Sequence, residues 1–253
     1  MSIDADTINS VYPISEIEIY PNGTIITKRK CKLQAPPCGR RNAIKSFSSS
    51  SLNRVAFLVR ETEVKFVSML TLSYPEVYPQ SGLVCKLHLN KLLVWMRTKR
   101  HFEYIWFIEF QKRGAPHFHV LCDFMPLEGE RRELAAKWAK YVASKGNVEE
   151  FDRVFKVHFH KRAWEAIRKG DGAARYITKY ATKQEQKNPG DFMDVGRFWG
   201  ASRGVKNSIP EPFTRPIGED ELRGCLHTDG SPVRGWDVLP KYIYVRGGNS
   251  NYI

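Results

Sequence analysis

What the sequence lacks narrows its class first. No G-x-x-x-x-G-K-[ST] phosphate loop occurs anywhere in the chain, which excludes a fused helicase or ATPase. Cysteine is sparse. Cys31, Cys38, Cys85, Cys122 and Cys225 form an odd, scattered set without a C-x-x-C pair, so neither a disulfide framework nor a thiolate zinc site is expected. Cys31 and Cys38 flank a Pro-Pro turn, but no second pair stands nearby to complete a metal site. No apolar run approaches the ~18 residues of a membrane span, and the opening MSIDADTINS has neither a basic nor an apolar signal segment. A cytoplasmic chain with no membrane partner is the expectation, and no internal repeat is visible. Acid is also short: 27 Asp and Glu against 40 Lys and Arg leave a formal charge of +13. Such an excess attracts polyanions, nucleic acid before others. A solvated basic surface has the same composition, so charge alone names no chemistry.

The 253 residues suit one moderately large domain or one domain with extended arms. Residues 14–30 read as a hairpin, two β-rich runs joined by Pro21-Asn22-Gly23. Residues 34–51 hold Pro36, Pro37, Gly39, a serine run, Arg40, Arg41 and Lys45, which reads as a basic linker. The expected organisation is therefore an N-terminal hairpin and linker over 1–50, a main domain over 51–204, and a Pro/Gly-rich extension over 205–253 with little structure. Within the main domain, periodicity predicts a helix at SLNRVAFLVRE, a strand at VKFVSMLTLSY and a helix over 82–98 with Leu89, Leu92, Leu93 and Met96 on one face. Strands YIWFIEF and HFHVLCDF follow, joined by QKRGAP, then a helix over 130–144 with Leu134, Trp138 and Tyr141 at helical spacing. A strand near 154–160 and a helix over 173–187 complete the series. The order β-α-β-β-α-β-α predicts an α+β fold, a mostly antiparallel central sheet with flanking helices.

The sharpest local signal is Gly114-Ala115-Pro116-His117-Phe118-His119. Strand side chains at i and i+2 share a face, so His117 and His119 project together and Phe118 points the other way. Two adjacent imidazoles are a natural pair of divalent-metal ligands. If the two strands form a hairpin centred near Arg113, Glu109 lies opposite His117, and cross-strand partners project to one face. A lone carboxylate in so apolar a run is costly to bury unless it is paired or binds metal. A solvent-facing His pair with Glu109 marking the open face fits the same letters. His158-Phe159-His160 repeats the spacing but lacks the turn and the paired acid. Lys156, Lys161 and Arg162 crowd it, so nucleic-acid contact or plain surface placement is expected there.

Residues 172–187, GAARYITKYATKQEQK, carry a second pattern. Asp171 can cap a helix starting near Ala173, with Ala174, Ile177 and Ala181 docked on the core. Tyr176 and Tyr180 then stand one turn apart, with Lys179 and Lys183 each three residues after a tyrosine. A neutral phenol is a poor nucleophile, and a neighbouring ammonium favours attack by its oxygen. A helix with two packing aromatics and two phosphate-contacting lysines gives the same pattern. Arg197-Phe198-Trp199-Gly200-Ala201-Ser202-Arg203 offers aromatic surfaces between cations, suited to stacking bases or to core packing.

Taken together these blocks resemble the HUH endonucleases, in particular the two-tyrosine rolling-circle replication initiators of filamentous single-stranded DNA phages and related plasmids. Leu70-Thr71-Leu72-Ser73-Tyr74-Pro75 is similar to the first motif, Glu109 to His119 to the metal-binding motif, and Tyr176 to Lys183 to the tyrosine motif, in the family's order. The resemblance implies an antiparallel sheet with a ferredoxin- or RRM-like core and the His pair on a central strand. It implies Glu109, His117 and His119 as ligands of Mg²⁺ or Mn²⁺. Tyr176 and Tyr180 would be nucleophiles that cut one strand at an origin, leaving a 5′-phosphotyrosine and a free 3′-hydroxyl, with Lys179 and Lys183 positioning phosphate. Lys112, Arg113, Arg175, Arg197 and Arg203 are the expected DNA contacts. The implied partners are single-stranded DNA at a replication origin, a host helicase and a host polymerase, within the cytoplasm of a bacterial host cell. A two-tyrosine transposase of the same superfamily, a DNA-binding protein of this fold without catalysis, and a metallohydrolase using water are the alternatives.

Overall fold

The computed structural model describes residues 14–29, 47–167, 194–216, 236–239 and 242–245. The chain divides into two compact units, one of residues 1–41 and 209–253, the other of residues 42–208.

The first unit contains a five-stranded antiparallel sheet. Strands β1 (Ile14–Ile19) and β2 (Thr24–Arg29) form the expected hairpin. Pro21 fixes one turn dihedral, and Gly23 takes the left-handed conformation (φ 89°) that a side chain would resist. Strand β8 (Phe213–Pro216) flanks β1, while β9 (Trp236–Leu239) and β10 (Tyr242–Val245) extend the sheet beyond β2. The expectation of little structure after residue 205 is corrected here. Three strands of four residues each lie in that region and find partners in each other and in the N-terminal hairpin. Strands that short carry almost no periodic signal of their own.

The second unit holds helix α1 (Ser49–Glu61), strand β3 (Ser68–Ser73), helix α2 (Gly82–Lys99), strands β4 (Tyr104–Phe110) and β5 (Pro116–Cys122), and helices α3 (Glu128–Val142) and α4 (Val148–Phe159). Short strands β6 (Trp164–Ala166) and β7 (Trp199–Ala201) and a short helix α5 (Arg203–Asn207) follow. The sheet order is β6-β3-β5-β4-β7 with every neighbouring pair antiparallel, so β5 is central. This is the α+β architecture that the element order predicts.

Alternation sorts the side chains. Leu70, Leu72, Ile108, Phe110, Phe118 and Val120 join Leu89, Leu92, Met96, Leu134 and Trp138 in one buried cluster, so α2 and α3 cover this face. Each fully buried Leu or Phe contributes roughly 1.5–3 kcal/mol. Among the described residues no helix is long and apolar enough to cross a membrane.

The strand expected near 154–160 is instead the last half of α4. The run V-F-K-V-H-F alternates, but the side chain of Asn147 accepts from Glu150 N–H at 3.0 Å and caps a helix. Phe151, Phe155 and Phe159 then stack at four-residue spacing, with centroids 6.5 and 5.7 Å apart. The surface or nucleic-acid role expected for His158 is corrected with it. His158 is 1% exposed, and its Nε2 accepts from Ser73 N–H at 3.0 Å. The ring proton therefore sits on Nδ1, which donates to the Val154 carbonyl at 2.7 Å. Trp138 Nε1–H donates to the Ser73 carbonyl at 2.9 Å, so two ring nitrogens satisfy the free edge of β3 beyond the short β6.

Burial pushes the His158 imidazole down to about 4. Its unfolded counterpart, near the ordinary ~6.5, takes up a proton first as pH falls. Stability is therefore complete above about pH 6.5 and declines as pH falls toward about 4, by on the order of 3 kcal/mol from this group. Urea unfolding of the protein and of His158→Gln at pH 7 and pH 5 checks this. The variant should be less stable at pH 7 but lose less between the two; equal losses would sink the assignment.

Candidate functional site

The hairpin of β4 and β5 builds the site. Its register pairs Glu109 with His117 and Phe107 with His119, while β3 sets Thr71 opposite His119 and Ser73 opposite His117. Glu109, His117, His119, Thr71 and Ser73 therefore share the sheet face turned away from α2 and α3. That face is nevertheless enclosed: Glu109 is 5% and His119 3% exposed, and His117 is half-buried.

His119 Nε2 and Glu109 Oε2 are 3.1 Å apart, and Thr71 Oγ1 lies 3.3 Å from His119 Nδ1. Phe107 stacks on the His119 ring at 5.0 Å between centroids, and the His117 and His119 rings are 4.8 Å apart. Packing and hydrogen bonds thus fix the orientation of His119, as supporting contacts do for metal-binding imidazoles. Glu109 Oε1 is buried with no hydrogen-bond partner among the described residues. An unmatched carboxylate oxygen in an enclosed site costs several kcal/mol unless a cation or donor completes it. The donor set, one carboxylate and two imidazoles, suits a divalent cation. Among the described residues no group of three such side chains already stands as a coordination cage. The direct Glu109–His119 contact turns two donor atoms toward each other.

Thr71 is a site residue that the sequence did not single out. Its signal was present, since it lies in the strand block beginning at Leu70 and alternation puts it on the face of the His pair once β3 is known to pair with β5. Trp199 is the other. It pairs with Phe107 and is half-buried on the site face, while Phe198 is buried in the core against Phe47 and Phe110. Base stacking and core packing are therefore divided between these two neighbours.

The expected DNA contacts fall in different places. Lys112 is exposed at the hairpin tip. Arg113 is exposed too, yet its guanidinium is committed to the protein. It donates to the Tyr74, Pro75 and Glu76 carbonyls at 2.7, 2.7 and 3.1 Å and to Gln111 Oε1 at 2.9 Å. Its plane lies over the Tyr78 ring, and Tyr78 O–H donates to the Arg113 carbonyl at 2.7 Å. Gly114 (φ 81°) lets the hairpin turn under that ring, because a Cβ there would meet Tyr78 Oη at 3.1 Å. Arg197 is exposed near Lys86, whose ammonium donates to the Val195 carbonyl. Burial, then the charge of Arg197, pushes the Lys86 amine down to about 8. Arg203 is exposed at the start of α5. Tyr176, Tyr180, Lys179, Lys183 and Arg175 lie outside the described residues. Burial raises the Tyr74 phenol far above the ordinary tyrosine range, which makes it unfit as a nucleophile.

Residues 67–185 match a family model of replication-associated proteins, the ORF2 type. The matched stretch, a little under half of the chain, contains Glu109, His117 and His119 and also runs through Tyr176 to Lys183. The match supports a protein of DNA replication that meets DNA at an origin. Comparison with curated proteins and with solved structures gives no match.

The Arg113 clamp makes a distinctive prediction. Arg113→Ala should cost about 1–3 kcal/mol in urea unfolding and speed amide exchange over residues 74–78. Arg113→Lys should recover little of that stability, because an ammonium lacks the planar fork. Full recovery by lysine would mean that only charge matters at this position.

Proposed function

We propose that this chain is a two-tyrosine HUH endonuclease that initiates rolling-circle replication by nicking, and later rejoining, one DNA strand. The observation that carries the reading is the convergence of Glu109, His117 and His119 on one enclosed sheet face, with the unpartnered Glu109 Oε1 among them. That this triad and the Tyr176–Lys183 block fall within one replication-family match adds to it.

In this reading Glu109, His117 and His119 hold Mg²⁺ or Mn²⁺. Such a cation, when bound, polarises the scissile phosphate and offsets charge that develops on its oxygens. Thr71 and Phe107 keep the His119 ring in place for that role. Tyr176 or Tyr180 supplies the nucleophile. Its Oη forms a bond to phosphorus while the bond from phosphorus to the 3′ oxygen breaks. The phenol gives up its proton to solvent, and the departing oxygen takes one up as a free 3′-hydroxyl. The DNA 5′ end remains on the protein as a phosphotyrosine. Lys179 and Lys183, one turn along the same segment, favour the phenolate and meet phosphate. A second tyrosine allows a second strand to be cut while the first is held. Unwinding falls to a host helicase and extension of the 3′-hydroxyl to a host polymerase.

A second reading, a DNA-binding protein of the same fold without catalysis, draws on one observation: Glu109 and His119 engage each other directly at 3.1 Å. Single-stranded oligonucleotides tiling the source replicon, incubated with Mn²⁺ or EDTA and resolved in SDS, separate the two. A metal-dependent adduct is expected that disappears in Tyr176→Phe/Tyr180→Phe and forms at least about 100-fold more slowly in Glu109→Gln. Tight binding on every tile without an adduct would leave the non-catalytic reading in its place.

A further inference from the structure

On the side of the sheet opposite Glu109 and His119, α2 and α3 pack their apolar faces on β3, β4 and β5 and turn a seam outward. Along that seam Lys91, Trp95 and Lys99 stand at four-residue spacing on α2, one above the next. Lys99 Nζ lies 5.8 Å from the Trp95 ring centroid, and Lys137 Nζ reaches the same ring from α3 at 5.7 Å. Trp95 is only partly buried, so the indole is a surface feature as well as a packing residue.

The charges here are not balanced. Lys99 pairs with Glu133 at 3.0 Å and Arg100 with Glu130 at 3.3 Å, which compensates the end of the seam. Lys91 and Lys137 make no ion pair among the described residues. Two uncompensated ammonium groups beside a half-exposed indole form a polyanion site rather than a salt-bridged helix face. Cations spaced along a groove with an aromatic ring between them match the chemistry of a nucleic-acid strand, phosphates for the ammonium groups and a flat surface for a base. An acidic protein surface would gain nothing from the indole.

We propose that the α2–α3 seam, through Lys91, Trp95 and Lys137, is a second DNA-contact surface on the reverse of the sheet from the candidate reaction site. It takes the DNA backbone irrespective of sequence. The inference rests on the reading of the chain as a DNA-replication protein but not on the tyrosine chemistry.

Fluorescence anisotropy of a labelled single strand and of a hairpin duplex of equal length, titrated with salt, tests it. Each phosphate contact contributes roughly 0.7 to the slope of log K against log salt for single strands and roughly 0.9 for duplex. Lys91→Ala/Lys137→Ala should lower the slope by about 1.4 or about 1.8 respectively, and the form showing the loss identifies what lies on the seam. Lys145→Ala/Lys156→Ala, which removes the same charge from exposed positions outside the seam, should leave the slope nearly intact. An unchanged slope in the seam variant, or an equal loss in the control, would overturn the proposal. Adduct yield at saturating oligonucleotide separates it from the reaction. The seam variant should match the unmodified protein, whereas loss of adducts at saturation would place these lysines in the reaction site and overturn the assignment. If the unmodified protein forms no adduct, the tyrosine mechanism fails while the slope comparison still decides the seam.

Discussion

Everything at the candidate site hangs on the register of one hairpin. Strands β4 and β5 pair from Tyr104↔Cys122 to Phe110↔Pro116, and a shift of one residue would carry Glu109 to the helix-covered face. Both strands are buried nearly throughout, so hydrophobicity alone does not say which face is which. The turn does. Gln111 N–H donates to the Ala115 carbonyl and Gly114 N–H to the Gln111 carbonyl, which closes the loop at a fixed length. Arg113 then ties this tip to the chain leaving β3. The loop that sets the register thus also fixes the backbone beyond Ser73, itself opposite His117.

How much of this was legible follows from the range of the interactions. The triad needed only a period of two and a short turn, both written within residues 104–122, so the letters sufficed. Arg113 looked like a DNA contact because its partners, Tyr74 to Glu76, lie 37 to 39 residues upstream and leave no trace beside it. The segment before His160 failed for a different reason. Its alternating letters suit a strand and a helix equally, and the cap at Asn147 decides. The C-terminal strands were illegible because their partners sit at the opposite end of the chain.

The two H-x-H segments show what separates a structural histidine from a chemical one. At His158 both ring nitrogens are satisfied by backbone groups, and burial holds the ring neutral. Nothing remains for a ligand. At His119 the partners are a threonine hydroxyl and a carboxylate whose other oxygen is unmatched, so the arrangement retains valence for a further group. Equal spacing in sequence says nothing of this difference. It comes from whether the neighbours are backbone or side chain.

The strand order of the sheet in the first unit has a consequence for how the chain is made. Strands β1 and β2 are translated before the 42–208 unit, but β8, β9 and β10 emerge only after it. A two-stranded hairpin is marginal in water by itself. The hairpin thus leaves the ribosome well before it acquires its neighbours, and in the interval its outer edges present unpaired backbone. Closing the intervening loop is made easier because residues 42–208 can collapse into their own core first, shortening the effective span between the two halves of the sheet. The order of synthesis and the order of assembly run in opposite directions for this unit, and the inserted domain is what reconciles them.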